Sequence, residues 1–151
     1  MSQPVFDRRW ICGSIVSLLL SGPAAAAAAK PASPPQTFVI YFEHEETDIP
    51  PEAMPTIDKA VAAIAAARAN GTYSHVKVIG YSDSVGSRIY AQHRSQERAT
   101  VVRDALVRAG VPAREIKTEG RGKRNPEVPT ANHVVQPRNR RVRIIIYRPG
   151  D

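Results

Sequence analysis

The stretch His75–Ser87, HVKVIGYSDSVGS, decides how this chain is read. His75 to Tyr81 has the alternation of a strand, with Val76 and Val78 on one face and Ile79 and Tyr81 on the other. Ser82 to Ser87 is a short polar loop. A long helix follows to about Ala109, where Gly110 ends it. Ala99, Val102, Ala105, Leu106 and Ala109 form its apolar stripe. The unit is a strand, a turn carrying a carboxylate (Asp83) and a helix.

Upstream, Thr37 to Glu43 (TFVIYFE) is β-branched and aromatic and reads as a strand. Phe38, Ile40 and Phe42 share one face, Val39 and Tyr41 the other. With both faces apolar, a central position in the sheet is expected. Glu52 to Ala69 carries Ile57, Ala60, Val61, Ile64 and Ala65 at helical spacing, with Pro55 tolerable in the first turn and Asn70-Gly71 as the stop. Downstream, Glu115 to Glu119 is a short strand and Gly120 to Pro137 a basic, irregular loop. Arg140 to Arg148 (RRVRIIIYR) is the last strand, with Val142, Ile144 and Ile146 facing inward. Arg141 and Arg143 alternate with them and are expected to face solvent. The order β-α-β-α-β-loop-β predicts an α+β domain with two helices on one face of a mixed sheet.

Composition narrows the function. The chain has 151 residues, 21 basic against 14 acidic, a net charge of +7 and one Cys. That length suits one domain. A single Cys excludes an intrachain disulfide scaffold and a Cys-rich zinc module. Aromatic content of 6% argues against a stacking platform for nucleic acid. Residues 1–29 have the order of a secretory signal peptide: Arg8-Arg9, an apolar run from Trp10 to Leu20, a Gly22-Pro23 break and an alanine run to Ala29. The apolar run is shorter than the ~20 residues a membrane span takes. Cys12 lies at the front of that run, where a lipidated Cys is not expected. Cleavage near Ala29 removes Asp7, Arg8 and Arg9, taking basic residues from 21 to 19 and acidic ones from 14 to 13, a charge of +6. Lys30 to Gln36, rich in Pro, reads as an extended tether. The domain is assigned to residues 37–148. No transmembrane segment is expected after signal removal, and the expected location is the periplasm or cell envelope, in association with the outer membrane.

No catalytic set is visible. The four His (44, 75, 93 and 133) are dispersed, and no HExxH, GxSxG, P-loop or GxGxxG occurs. Glu43-His44-Glu45-Glu46 has the composition of a weak metal site, but reads first as a solvated acidic loop. No enzyme activity, cofactor or metal is expected. The candidate binding site is instead Gly80–Ser87 together with Arg98. Asp83 at a strand end suits either capping of the next helix or ligand binding. An Asp and an Arg side by side can hold a zwitterion, the carboxylate taking an ammonium and the guanidinium fork a carboxylate.

GYSDSVGS, then SQERA, GRGKRNP (Gly120–Pro126) and NRRVRI (Asn139–Ile144) together resemble the OmpA-like C-terminal, peptidoglycan-associating domain, over about Phe38 to Tyr147. With no barrel sequence preceding the domain, the chain looks like a free-standing member. The resemblance implies a β-α-β-α-β-β sandwich. It also implies non-covalent binding of the peptidoglycan stem peptide through meso-diaminopimelate, in a tethering or envelope-integrity role. The family's pocket positions fall on Asp83 and Arg98, with Arg140 as a further one. Ser82 and Glu45 complete the expected ligand-binding set. Replacing Asp83 or Arg98 by Ala is expected to abolish binding and leave the melting temperature nearly unchanged. The chain departs from the pattern NxxLSxxRA at Ala91 and Arg94, and has Val85 where a hydroxyl is common. These changes bear on affinity and ligand identity, not on fold. A structural or assembly adaptor of the envelope, with envelope proteins as partners through Arg121, Lys123 and Arg124, is the alternative. A polyanion binder is a third reading, though nucleic acid is not the expected partner.

Overall fold

A computed structural model describes residues 35–71 and 75–148. The expected signal peptide and most of the expected tether lie outside the described residues. Strand β1 (Gln36–Tyr41) is followed by a 3-10 turn (Pro51–Ala53) that leads into helix α1 (Met54–Ala69). Strand β2 (His75–Gly80) precedes helix α2 (Arg88–Arg108). Strands β3 (Ile116–Gly120) and β4 (Arg141–Tyr147) end the domain. The element order matches the expectation from sequence. Among the described residues, no helix is long and apolar enough to cross a membrane.

The four strands form one sheet in the order β1-β4-β2-β3, with β2 and β3 parallel and β4 antiparallel to both β1 and β2. Register puts Ile40, Val142, Gly80 and Gly120 in one row across the sheet, and Phe38, Ile144, Val78 and Thr118 in the next. Side chains two apart share a face, so these rows form one apolar surface. Ile57, Ala60 and Ile64 of α1 and Ala99, Val102 and Leu106 of α2 pack into the same core with Ile40, Val78 and Ile144. Fully burying a side chain such as Ile64 stabilises the fold by about 1.5–3 kcal/mol.

Strand β1 is an edge strand, not the central strand expected. β4 occupies the interior instead and pairs on both sides. The second face of β1 needs no covering layer: Tyr41 is exposed and sends its hydroxyl to Glu127 Oε2 at 3.2 Å. Ala65 and Ala109, assigned to apolar stripes from spacing alone, are both exposed. The buried stripe of α2 keeps Ala99, Val102, Ala105 and Leu106 and extends toward the N-terminus through Arg98, Ser95 and Ala91.

That N-terminal half of α2 lies very close to the sheet. A Cβ on Gly80 would stand 1.9 Å from the Ser95 carbonyl oxygen, and one on Gly120 would stand 2.7 Å from Gln96 N. Only glycine leaves room for this approach. Side chains of α2 then bond the strand end directly. Gln96 Oε1 accepts from Gly120 N at 2.7 Å, and Ser95 Oγ accepts from Gly122 N at 2.8 Å. The helix is thereby pinned beside the turn that leaves β2.

Candidate functional site

The turn from Tyr81 to Ser87 is held from several sides. Ser82 N donates to Gly122 O at 2.8 Å. Ser84 Oγ donates to Ala131 O at 2.6 Å and accepts from Val134 N at 3.0 Å. Lys123 Nζ donates to Ser84 O at 2.7 Å and to Gly86 O at 2.5 Å. The long loop between β3 and β4 therefore clamps the turn and fixes its backbone. Ser87 is the N-cap of α2, its Oγ accepting from Tyr90 N at 3.1 Å. Asp83 is not the cap, so the capping role considered from sequence falls to Ser87.

Asp83 faces Arg140. Nη1 of Arg140 donates to Asp83 Oδ2 at 2.9 Å, with the two side chains 4% and 6% exposed, respectively. Arg140 also donates through Nε to Phe42 O at 3.2 Å. The neighbouring Asn139 is buried and holds both polar atoms of Val128, which fixes the approach to β4. The Arg98 fork, expected beside Asp83 as its pair, makes a different bond. Its Nε donates to Glu46 O at 2.8 Å, and its guanidinium lies 5.7 Å from the Phe42 ring centroid. Arg140 takes the partner role because β4 enters the sheet next to β2 and delivers its first residues to the end of that strand.

Arg98 is 2% exposed, and its Nη1 is shielded from solvent without a hydrogen-bond partner. Burial pushes its guanidinium down to about 10, repulsion from Arg94 and Arg140 adds to this, and the Asp83 carboxylate opposes it. It remains a cation at neutral pH. A buried, incompletely partnered cation is costly unless an anion joins it.

All five residues expected from sequence (Asp83, Arg98, Arg140, Glu45 and Ser82) line a single pocket of about 210 Å³. Glu45 is exposed at its rim, in left-handed backbone at φ 59°. The pocket also takes in His44, Tyr90 and Arg94, which the site assignment had omitted. Arg94 was legible as a neighbour: it stands four residues before Arg98, on the same helical face. Ala91, at the family's amide position, is fully buried. One other expectation changes. Arg141 does not face solvent: it is 6% exposed, stacks 4.1 Å from the Tyr81 ring centroid and donates to Asn125 O at 3.1 Å. Burial lowers its pKa from the usual arginine value. Among the described residues, no three His, Cys, Asp or Glu cluster as metal ligands.

A chemically distinct, larger groove of about 1110 Å³ adjoins the turn at Gly86 and is lined by Arg88, Arg121, Lys123 and Arg124, among others.

Comparison with known proteins agrees with this architecture. The sequence model of the OmpA family matches residues 41–140. An outer membrane protein of Gluconacetobacter diazotrophicus is 31% identical over 121 residues, which is 76% of this chain and 31% of that protein. Outer membrane protein A of Bordetella avium is 34% identical over 106 residues, 70% of this chain and 53% of the relative. The chain thus spans only about a third to a half of these relatives' length. Among solved structures, the peptidoglycan-associated lipoprotein from Burkholderia pseudomallei superposes with a TM-score of 0.64 at 20% identity, over 72% of this chain and 89% of that one. The cell wall anchor of the T6SS from Pseudomonas aeruginosa gives a TM-score of 0.59 at 25% identity, over 75% of this chain and 81% of that one. The four-stranded mixed sheet under two helices and the match from Tyr41 to Arg140 place this chain in the OmpA family.

Proposed function

We propose that this chain binds peptidoglycan non-covalently in the cell envelope, seating the free end of the diaminopimelate side chain in the pocket between Asp83, Arg98 and Arg140. The observation that carries the reading is Arg98, a buried cation with an unsatisfied donor lining a pocket that also holds a carboxylate. A ligand carboxylate compensates Arg98. The Arg140 hydrogen bond goes to Oδ2 of Asp83, so Oδ1 is the oxygen offered to an ammonium, with Glu45 adding negative charge at the rim. Hydrogen bonds to charged groups contribute about 1.5–3 kcal/mol each. Two solved relatives of the same fold, one named a peptidoglycan-associated lipoprotein and one a cell wall anchor, support the ligand class. The signal peptide expected over residues 1–29 fits a periplasmic site of action. The role is binding without catalysis.

The test is co-sedimentation with purified sacculi. The folded protein is expected in the pellet, and folded protein that stays in the supernatant contradicts the proposal.

The basic groove supports a second reading, an adaptor that docks acidic envelope proteins through Arg88, Arg121, Lys123 and Arg124. Arg88→Glu with Arg124→Glu separates the two: it abolishes capture of an acidic partner under the adaptor reading and spares sacculus binding under the first.

A further inference from the structure

Arg94 stands where the family pattern has an apolar residue, yet it is drawn toward the pocket. Its side chain is 17% exposed, and its Nε is shielded from solvent and without a partner. Its Nη1 lies 3.2 Å from Glu97 Oε2, one turn along the helix and 39% exposed. Arg98 follows at i+4 with its own shielded and unpartnered Nη1. The two guanidiniums are close enough that Arg94 lowers the pKa of Arg98. Arg140, the third guanidinium of the lining, is already paired with Asp83. The pocket wall formed by α2 therefore carries two positive charges whose hydrogen bonding is incomplete.

We infer that Arg94 is a second carboxylate-binding residue of this pocket, and that Arg94 and Arg98 together make it select a ligand whose diaminopimelate carboxylate is free over one in which it is amidated. The inference rests on the proposed peptidoglycan reading and adds to it a residue and a selectivity. A carboxylate placed against the two guanidiniums offers only acceptors to groups that only donate. Amidation removes the negative charge and turns one acceptor into a donor. Arg98 is then left buried without a ligand anion, the costly case, and Arg94 keeps only Glu97 as its partner. Arg is suited to this role and Lys is not, because the planar fork spreads its donors toward both oxygens.

The experiment titrates the full chain with two muropeptides, identical except that the diaminopimelate carboxylate is free in one and amidated in the other. The expected preference for the free form is at least about 30-fold. Arg94→Leu is expected to cut that preference to about 3-fold, and Arg94→Lys to leave an intermediate value, which keeps the test decisive where the Leu variant folds poorly. Glu97→Gln serves as a control for the helix-surface ion pair and is expected to keep the full preference. An unchanged preference in both Arg94 variants overturns the inference, as does its collapse in Glu97→Gln. A wild-type chain that binds both muropeptides equally overturns this selectivity alone. A wild-type chain that binds neither overturns the peptidoglycan reading as well.

Discussion

Asp83 and Arg140, 57 residues apart in sequence, form a buried ion pair at 2.9 Å where the turn after β2 meets the start of β4. The pair joins the two central strands of the sheet at the mouth of the pocket. It makes Asp83 a structural residue as well as a ligand candidate, and the two roles have different experimental signatures.

Breaking the pair leaves a buried charge alone. Asp83→Asn is expected to cost about 3–5 kcal/mol, read as a fall in the urea midpoint. This revises the expectation that Asp83 is replaceable at nearly constant melting temperature. Asp83→Leu combined with Arg140→Met removes both charges and is expected to be more stable than either single variant. A double variant as unstable as the sum of the singles would show that the two residues act independently.

Gly80 sits under α2 with no room for a side chain. Gly80→Ala is expected to destabilise the domain by about 3 kcal/mol, at the upper end for overpacking, because the obstacle is the Ser95 carbonyl and not a flexible side chain. Thermal or urea unfolding measures this, and a loss under about 1 kcal/mol would mean that α2 shifts away easily.

Ser87 caps α2 through Tyr90 N. Ser87→Ala is expected to cost about 1 kcal/mol without changing sacculus binding, and Ser87→Gly only a few tenths. A binding loss in Ser87→Ala at unchanged stability would place Ser87 in the ligand site.

Several of these relationships were hidden from the sequence for physical reasons. The order of elements followed from alternation and helical spacing, since these report local burial. The insertion of β4 between β1 and β2 did not, because pairing order depends on contacts distant in sequence. TFVIYFE looked central through its two apolar faces, yet Tyr41 satisfies its hydroxyl on Glu127 at an exposed edge. The buried face of α2 was traced only through its alanines and aliphatics, which missed Ser95 and Arg98, where polar side chains are buried to bond the sheet end and line the pocket. Membership of the pocket was legible for Asp83, Arg98, Arg140, Glu45 and Ser82 from motif positions. Which guanidinium pairs with Asp83 was not, since it is settled by strand register.

Arg98 sets the pH behaviour of binding. Its folded value of about 10 lies below the ordinary arginine range, so it is protonated throughout the neutral range and loses its charge only as pH rises through about 10. Sacculus binding carried by Arg98 is therefore expected to be flat from pH 6 to 8. A titration centred inside that window would assign the binding to another group.

The most direct measurement is a calorimetric titration of a diaminopimelate-containing muropeptide into the wild-type chain and into Arg98→Met. Met fills similar space without a charge, so the variant is expected to melt at the wild-type temperature or above. The account predicts a loss of affinity of at least about 30-fold in that folded variant. Equal affinity in the two proteins would contradict it.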